Sequence, residues 1–382
     1  MTTQDWNAMP DEEFRRTIAD FCARNLPGDL RGLPNRVSWV KAKPWYLILS
    51  RAGLLAPAWP AEYGGMGLTP GKHIIYLEEL DRSGAPQMPD HGLITVGPAL
   101  IMHGSEAQKR KYLPRILSGE DVWTQGFSEP NAGSDLASLR TEGRVEGDEI
   151  IINGQKIWTS WAREANKLFI LVRTNKQVKK QAGISFVLTD LPQPGITVRP
   201  INMIDGRDAF NQTFYDNARA KLEDVVGGLD KGWTVAQSLL GAERLWAGSP
   251  RHALKFLAVL ERTAEAAGRS DDPVYLDRHA QFVMDVEDLG CLYRRAAHSM
   301  GEGGRGYEVS MLKIWQTELS QRIMQFALDI AADSGALGLG AAPDDPLAIL
   351  HSYIESRPPT IYGGTVQIQR NILSKNVLGL PS

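Results

Sequence analysis

The period of the apolar residues changes twice along this chain, and any fold it adopts has to accommodate both changes. From Asp11 to about Gly119, apolar side chains recur at helical spacing: Phe14, Ile18 and Phe21, then Trp45, Leu47 and Leu49, then the segment Ser105 to Leu117, with Pro and Gly between them. From Val122 to about Gly228 the pattern shifts to short β-rich runs, "VWTQGFSE", "EIIINGQKIWTS", "LFILVRT", "GISFVLT" and "ITVRPI". Turns such as Glu146-Gly147-Asp148 and Pro192-Gln193-Pro194-Gly195 separate them. After Gly232 long helical patterns resume, Trp233 to Ala267, Pro273 to Met300 and Tyr307 to Ala332, with a shorter pair to the end. The expectation is an α+β chain of three domains: N-terminal helices over 1–120, a β-domain over 121–228 and a helical bundle over 229–382. The sequence shows no internal repeat and no low-complexity tract.

Bulk properties exclude more than they assign. With 382 residues, 43% hydrophobic and 23% charged, the chain is long enough to bury a sizeable core. A net charge of −3 gives no overall basic field for nucleic acid or anionic lipid. Met1 to Arg15 is polar and acidic, without the apolar stretch of a signal peptide, and no apolar run is long enough to span a bilayer, so the cytoplasm is the expected location. Cys22 and Cys291 lie far apart, without zinc or redox spacing; both are expected in the core, and no metal site is expected.

Four stretches hold the distinctive residues: "WPAEYGGMGLT" (Trp59 to Thr69), "FSEPNAGSDLASL" (Phe127 to Leu139), "INGQKIWTSWA" (Ile152 to Ala162) and "RPPTIYGGTVQIQRNIL" (Arg357 to Leu373). The "GGMG" turn does not sit between a strand and a helix, which rules out a Rossmann fingerprint. Taken together the stretches resemble the acyl-CoA dehydrogenase family over nearly the whole chain. They are similar to its Pro-Glu-x-Tyr-Gly-Gly-x-Gly turn, its Thr-Glu-Pro-x-Ala-Gly-Ser-Asp block, its Asn-Gly-x-Lys-x-Trp-x-Thr/Ser strand and its C-terminal Tyr-Glu-Gly-Thr and Gln-Ile-Gln-Arg tract. The resemblance implies that family's fold: an N-terminal helical domain, a middle β-domain and a C-terminal four-helix bundle. It also implies FAD as cofactor and an acyl-CoA substrate oxidised to the trans-2-enoyl-CoA, with electrons passed to an electron-transfer flavoprotein, as in fatty acid or steroid side-chain β-oxidation.

A flavin needs hydrogen bonds along its pyrimidine edge and at N5, which hydroxyls and backbone N–H groups on rigid strands supply. On the resemblance, Gln125, Phe127 and Ser128 line the isoalloxazine, Trp158 and Ser160 cover its other side, and Thr365 joins the cofactor-binding set. Ser134 matches a position near the thioester arm of CoA. Taken singly, Trp158 reads as a core aromatic and Ser128 as a strand-end cap; the combination with "EPNAGSD" gives the functional reading. The C-terminal tract departs from the family at one position, because Tyr362 is followed by Gly363 where many members carry the catalytic Glu. The Gly363 N–H can still donate to the thioester oxygen. In isovaleryl-CoA and long-chain members the base sits on the helix that here begins at Trp233, within a Glu-Arg pair. The resemblance therefore implies Glu243 as base and Arg244 as a substrate contact, in "LLGAERLWAG".

Two further tracts depart from the family. Its members reach across a dimer interface to the FAD diphosphate with an Arg-x-x-Phe-Gly tract and a Gln-x-x-Gly-Gly tract. Aligning Gln281 puts Ser270 at that arginine and Pro273-Val274 at the Phe-Gly, while "AADSGALGLG" (Ala331 to Gly340) has no glutamine. The expected assembly is an α₂β₂ heterotetramer in which a paralogous subunit supplies the arginine; the alternative is a homotetramer with Arg269 or Arg278 substituting. A non-catalytic subunit and a same-fold flavin oxidase or monooxygenase are the other function classes left open. The segment Pro86 to Leu100, where the family shapes the far end of the acyl pocket, carries Gly92 and Gly97, which imply room. Separately, the Tyr-Gly-Gly-Thr tract resembles that of bacterial members acting on dicarboxylic or steroid side-chain thioesters, an analogy that implies an unusual acyl group.

Overall fold

The computed structural model describes residues 5–33, 37–88, 91–301, 309–336 and 345–381, with side chains described at all of these except 240–247, 300, 301 and 336. The chain divides into two compact units, Met1–Leu239 and Leu240–Ser382.

The first unit opens with α1 (Asp11–Asn25), α2 (Trp39–Arg51), α3 (Pro70–Arg82), α4 (Gly97–His103) and α5 (Glu106–Leu117). Phe14, Ile18 and Cys22 fall one turn apart on the buried stripe of α1, whose first turn holds Asp11, Glu12 and Glu13 and whose last holds Arg24, as the helix dipole favours. A full capping box starts α5: Ser105 Oγ accepts from Gln108 N, and Gln108 Oε1 accepts from Ser105 N.

Eight strands follow: β1 (Trp123–Gly126), β2 (Glu142–Glu146), β3 (Glu149–Ser160), β4 (Lys167–Arg173), β5 (Ile184–Asp190), β6 (Ile196–Ile201), β7 (Phe210–Lys221) and β8 (Val225–Val226). They form one sheet in the order β6-β7-β3-β2-β4-β5-β8, with β1 pairing β4 in parallel. Strand β4 is buried on both faces. Phe169 and Leu171 join the core shared with the N-terminal helices, while Leu168, Ile170 and Val172 join a second core on the sheet's other side. The apolar runs read from sequence therefore mark the central strands. Strand β7, "FNQTFYDNARAK", has no such run and went unforeseen; its alternating burial shows a strand with one wet face.

Three expectations need correction. The helical pattern Trp233 to Ala267 is two helices, α6 (Gly232–Ala247) and α7 (Arg251–Ala266), interrupted at Gly248-Ser249-Pro250, because proline has no N–H to continue the first helix. Cys22 is buried as expected, but Cys291 is exposed. The third concerns Pro86 to Leu100, where Gly92–Val96 forms a π-helical stretch running into α4. Here the glycines leave no room. The Trp59 indole fills the space beside Gly97, its Nε1 donating to the Leu93 carbonyl at 2.8 Å, and Ile116 and Trp123 press on Gly92. A Cβ at Gly97 would lie 1.8 Å from the indole. Gly97→Ala is therefore expected to destabilise the first unit by about 3 kcal/mol, from overpacking plus a displaced buried hydrogen bond. The urea midpoint of the variant checks this; a shift near zero would mean that the indole has another place to go.

The second unit packs α7, α8 (Pro273–Gly301), α10 (Leu350–Glu355) and α11 (Val366–Asn376) against α9 (Val309–Ala336). On α7, Ala253, Phe256, Leu257, Leu260 and Ala264 recur at helical spacing and are buried. Among the described residues, no helix is long and apolar enough to cross a membrane.

Candidate active site

Two constellations collect the residues singled out by sequence, one in each unit. In the first, the segment after β1 is laced to the end of β3. Thr124 Oγ1 donates to the Ser160 carbonyl at 2.5 Å, and Ile157 N donates to the Ser128 carbonyl at 2.9 Å. Between these links lies a buried ion pair. The Lys156 ammonium donates to Glu129 Oε1 at 2.8 Å and to the Phe127 carbonyl at 3.0 Å, with the two side chains 0% and 9% exposed. Glu129 also accepts from Arg140 N at 2.7 Å and Thr141 N at 2.8 Å. Burial raises the carboxyl's pKa, but the Lys156 charge and these hydrogen bonds outweigh it and hold Glu129 below the usual carboxylate range. Burial pulls the Lys156 ammonium down to about 8, with Glu129 offsetting part of the shift.

A β-bulge interrupts the β3–β7 pairing between Lys156 and Thr159. Within it Trp158 adopts φ 63°, the left-handed region that a bulky L-residue enters only when its surroundings enforce it. Asn211 Nδ2 on the Thr159 carbonyl (3.0 Å) and Trp161 N on the Ala209 carbonyl (2.8 Å) fix the flanks. The bulge turns the indole outward: it is 54% exposed and meets Phe210 edge-on at 6.0 Å. Phe127 stands edge-on to Phe169 at 5.6 Å, which anchors that wall in the core.

Gln125, Ser128 and Ser160 are half-buried, and their side chains have no hydrogen-bond partner among the described residues. Unpartnered amide and hydroxyl groups on rigid strand ends, beside an outward indole, fit a flat aromatic group with a polar edge, as the flavin ring is. Ser134 lies farther along the same loop, exposed and without a partner among the described residues.

The second constellation is the glycine turn ahead of α11. Gly363 and Gly364 have φ 63° and 85°. Lys313, fully buried on α9, donates to the carbonyls of Tyr362 and Gly364. Buried Gln369 donates to those of Gly363 at 3.2 Å and Gly364 at 3.3 Å. With its carbonyls held inward, the turn leaves the Gly363 N–H without a protein acceptor among the described residues. Thr365 caps α11, its Oγ1 accepting from Ile368 N at 3.2 Å, so its hydroxyl hydrogen remains available to another acceptor. Neither Lys313 nor Gln369 was singled out from sequence. The signal was a lysine set between Leu312 and Ile314 in an otherwise apolar helical stretch.

Glu243 and Arg244 lie on α6 at positions whose side chains fall outside the described residues. Of the second diphosphate tract, Ala331 to Gly340, residues 337–340 also fall outside them. Of the two substitutes for the missing arginine, Arg269 is engaged by Asp272, at 2.9 Å from its Nε. Arg278 is exposed and lines a groove of about 570 Å³ with Gln281, Phe282, Gln325, Phe326 and Arg357.

N-terminal helices, a middle sheet with an outward Trp at a bulge, and a C-terminal helical unit are the architecture of a class of flavin-dependent oxidoreductases. The models for the N-terminal, middle and C-terminal domains of acyl-CoA dehydrogenase match residues 10–120, 124–217 and 230–378, and the chain belongs to the acyl-CoA dehydrogenase family. It is 37% identical to acyl-CoA dehydrogenase IpdE1 of Mycolicibacterium smegmatis, over 97% of this chain and 98% of that protein. Among solved structures, it is similar to the Tcur3481-Tcur3483 steroid ACAD, with a TM-score of 0.86, 27% identity and full coverage of both chains. It is likewise similar to the ChsE4-ChsE5 complex of Mycobacterium tuberculosis, with a TM-score of 0.83 and 27% identity over 98% of this chain and 99% of that one.

Proposed function

We propose that the protein is an FAD-dependent acyl-CoA dehydrogenase that converts an acyl-CoA thioester to its trans-2-enoyl-CoA and delivers electrons to an electron-transfer flavoprotein; its likeness to the Tcur3481-Tcur3483 steroid ACAD supports a steroid-type acyl group. The observation that carries the reading is the glycine turn, whose carbonyls are tied to buried side chains while the Gly363 N–H is left to donate. A preorganised N–H of this kind stabilises the negative charge that develops on a thioester oxygen as the α-proton leaves. Glu243 is the base that takes that proton. In the first unit, Gln125, Ser128 and Ser160 hold the flavin through its polar edge, Trp158 and Phe127 wall its faces, and Ser134 contacts the thioester side. In the second, Thr365 is assigned to the cofactor and Arg244 to the substrate on the family resemblance. FAD, when bound, supplies a hydride acceptor.

Assembly belongs to the same reading. Ser270 stands where the family's diphosphate-binding arginine is expected and Arg269 is held by Asp272, so this chain offers a neighbour's diphosphate a poor partner. One charge-assisted contact is worth about 1.5–3 kcal/mol, enough to weaken cofactor binding tenfold or more. A sister subunit bearing the arginine completes the site in an α₂β₂ arrangement, in line with the two chains named in each of the similar complexes.

The test is to purify the chain alone and co-expressed with a dehydrogenase-like neighbour, measure bound flavin by absorbance, and challenge it anaerobically with acyl-CoA thioesters from short linear to polycyclic. Yellow protein from co-expression only, bleached by polycyclic thioesters, is the expected result. A homotetramer holding one flavin per chain would overturn the shared site, and bleaching by short linear thioesters alone would overturn the substrate class.

A further inference from the structure

We propose that Lys313 is a positioning residue that both aims and polarises the Gly363 amide toward the substrate's thioester oxygen. The inference rests on the reading of Gly363 as that oxygen's donor. The Tyr362 carbonyl and the Gly363 N–H are the two ends of one planar trans peptide. An ammonium fixed on the oxygen end, as Lys313 is, therefore turns the hydrogen to the opposite side of the turn. It also draws electron density out of the peptide nitrogen, which makes the N–H a stronger donor. Charge-assisted hydrogen bonds are roughly twice as strong as neutral ones, and groups bonded in series polarise one another where the dielectric is low.

Burial raises the stakes of this arrangement. Lys313 is fully buried, and withdrawing an ammonium from water is costly unless its interactions repay it. Fixing carbonyls alone would not need a charge. Gln369 does that for Gly363 and Gly364 with neutral N–H donors. Among the described residues, what Lys313 adds to the turn beyond this is a positive charge on the oxygen side of the peptide whose N–H lacks an acceptor.

The experiment uses the flavin-loaded assembly, with its sister subunit if one is required. The probe is the 2-enoyl form of whichever CoA thioester bleaches the flavin, carbon-13-labelled at the thioester carbonyl and read by difference infrared spectroscopy. In the unaltered enzyme the carbonyl band shifts down on binding. Lys313→Gln, which keeps donors but no charge, is expected to lose most of that shift and at least ~10-fold in flavin reduction, the scale of a weakened oxyanion contact. Its KM is expected to stay within about threefold, since a neutral thioester oxygen gains less from the polarised amide than the developing enolate does. Lys313→Arg is expected to keep the shift. A full shift in Lys313→Gln would overturn the proposal. Should that variant not fold, Gln369→Leu, which removes only neutral donors, is expected to keep the shift; its loss there would show that fixation of the carbonyls sets the amide, which also overturns it. No shift in the unaltered enzyme would count against Gly363 as the donor instead.

Discussion

Glu243→Gln is expected to leave flavin and acyl-CoA bound while slowing anaerobic flavin reduction at least ~10²-fold, the lower range for loss of a general base. The α-proton of a thioester is weakly acidic, so its removal needs a carboxylate that water does not stabilise. Gly363 has no side chain to offer, and Glu243 is the only acidic residue between Gln237 and Gly248. Gln keeps the size and polarity of the side chain and removes only the basicity. Stopped-flow bleaching at saturating substrate measures the effect directly. Near-normal reduction would assign the proton to another carboxylate, or to a sister subunit.

Lys156→Met is expected to cost about 3–5 kcal/mol at neutral pH, because it strands a buried carboxylate at Glu129 without its cation. The urea midpoint followed by the circular dichroism of the sheet reads this loss. Lys156→Met combined with Glu129→Gln, which removes both charges and keeps an acceptor for one of the Arg140 and Thr141 amides, is expected to recover part of it. The pH dependence has a definite sign. Lys156 titrates at about 8 in the folded protein and at its ordinary 10.5 when unfolded. Across that window the unfolded chain holds a proton that the folded chain has lost, so this lysine makes stability rise with pH. Glu129 acts at the other end: its carboxyl is held below the ordinary 4.5, so its contribution is present above that value and disappears as pH falls through the lowered one. The rise between about pH 8 and 10.5 should be missing from Lys156→Met, and an unchanged slope would place the titration elsewhere.

The order of elements was legible in the sequence because the central strands β4 and β5 are buried on both faces and so read as unbroken apolar runs. Strand β7 was not, since one wet face leaves it mostly polar. The break between α6 and α7 was missed because the apolar period continues across Pro250. Gly92 and Gly97 misled for a different reason: a missing Cβ marks close approach as readily as empty space, and only the position of Trp59 tells which. At the candidate site, "EPNAGSD" and "KIWTS" were recognisable as blocks. The Lys156–Glu129 link between them joins residues far apart in the chain and has no local signal. Lys313 left one local signal, its apolar surroundings, but its partners and those of Gln369 escaped for the same reason, because what they hold are main-chain carbonyls, which every residue possesses.

That last property bears on how such a site changes over evolutionary time. Lys313 and Gln369 grip the turn through carbonyl oxygens, so nothing in their hold inspects the side chain at position 363. A residue there other than glycine carries the cost of φ 63°, roughly 1–2 kcal/mol for a left-handed L-residue. A lineage can thus gain or lose a carboxylate on the turn without dismantling the donor beneath it. On the proposed reading, the proton acceptor becomes a replaceable part, while the main-chain donor at 363 passes unchanged from ancestor to descendant.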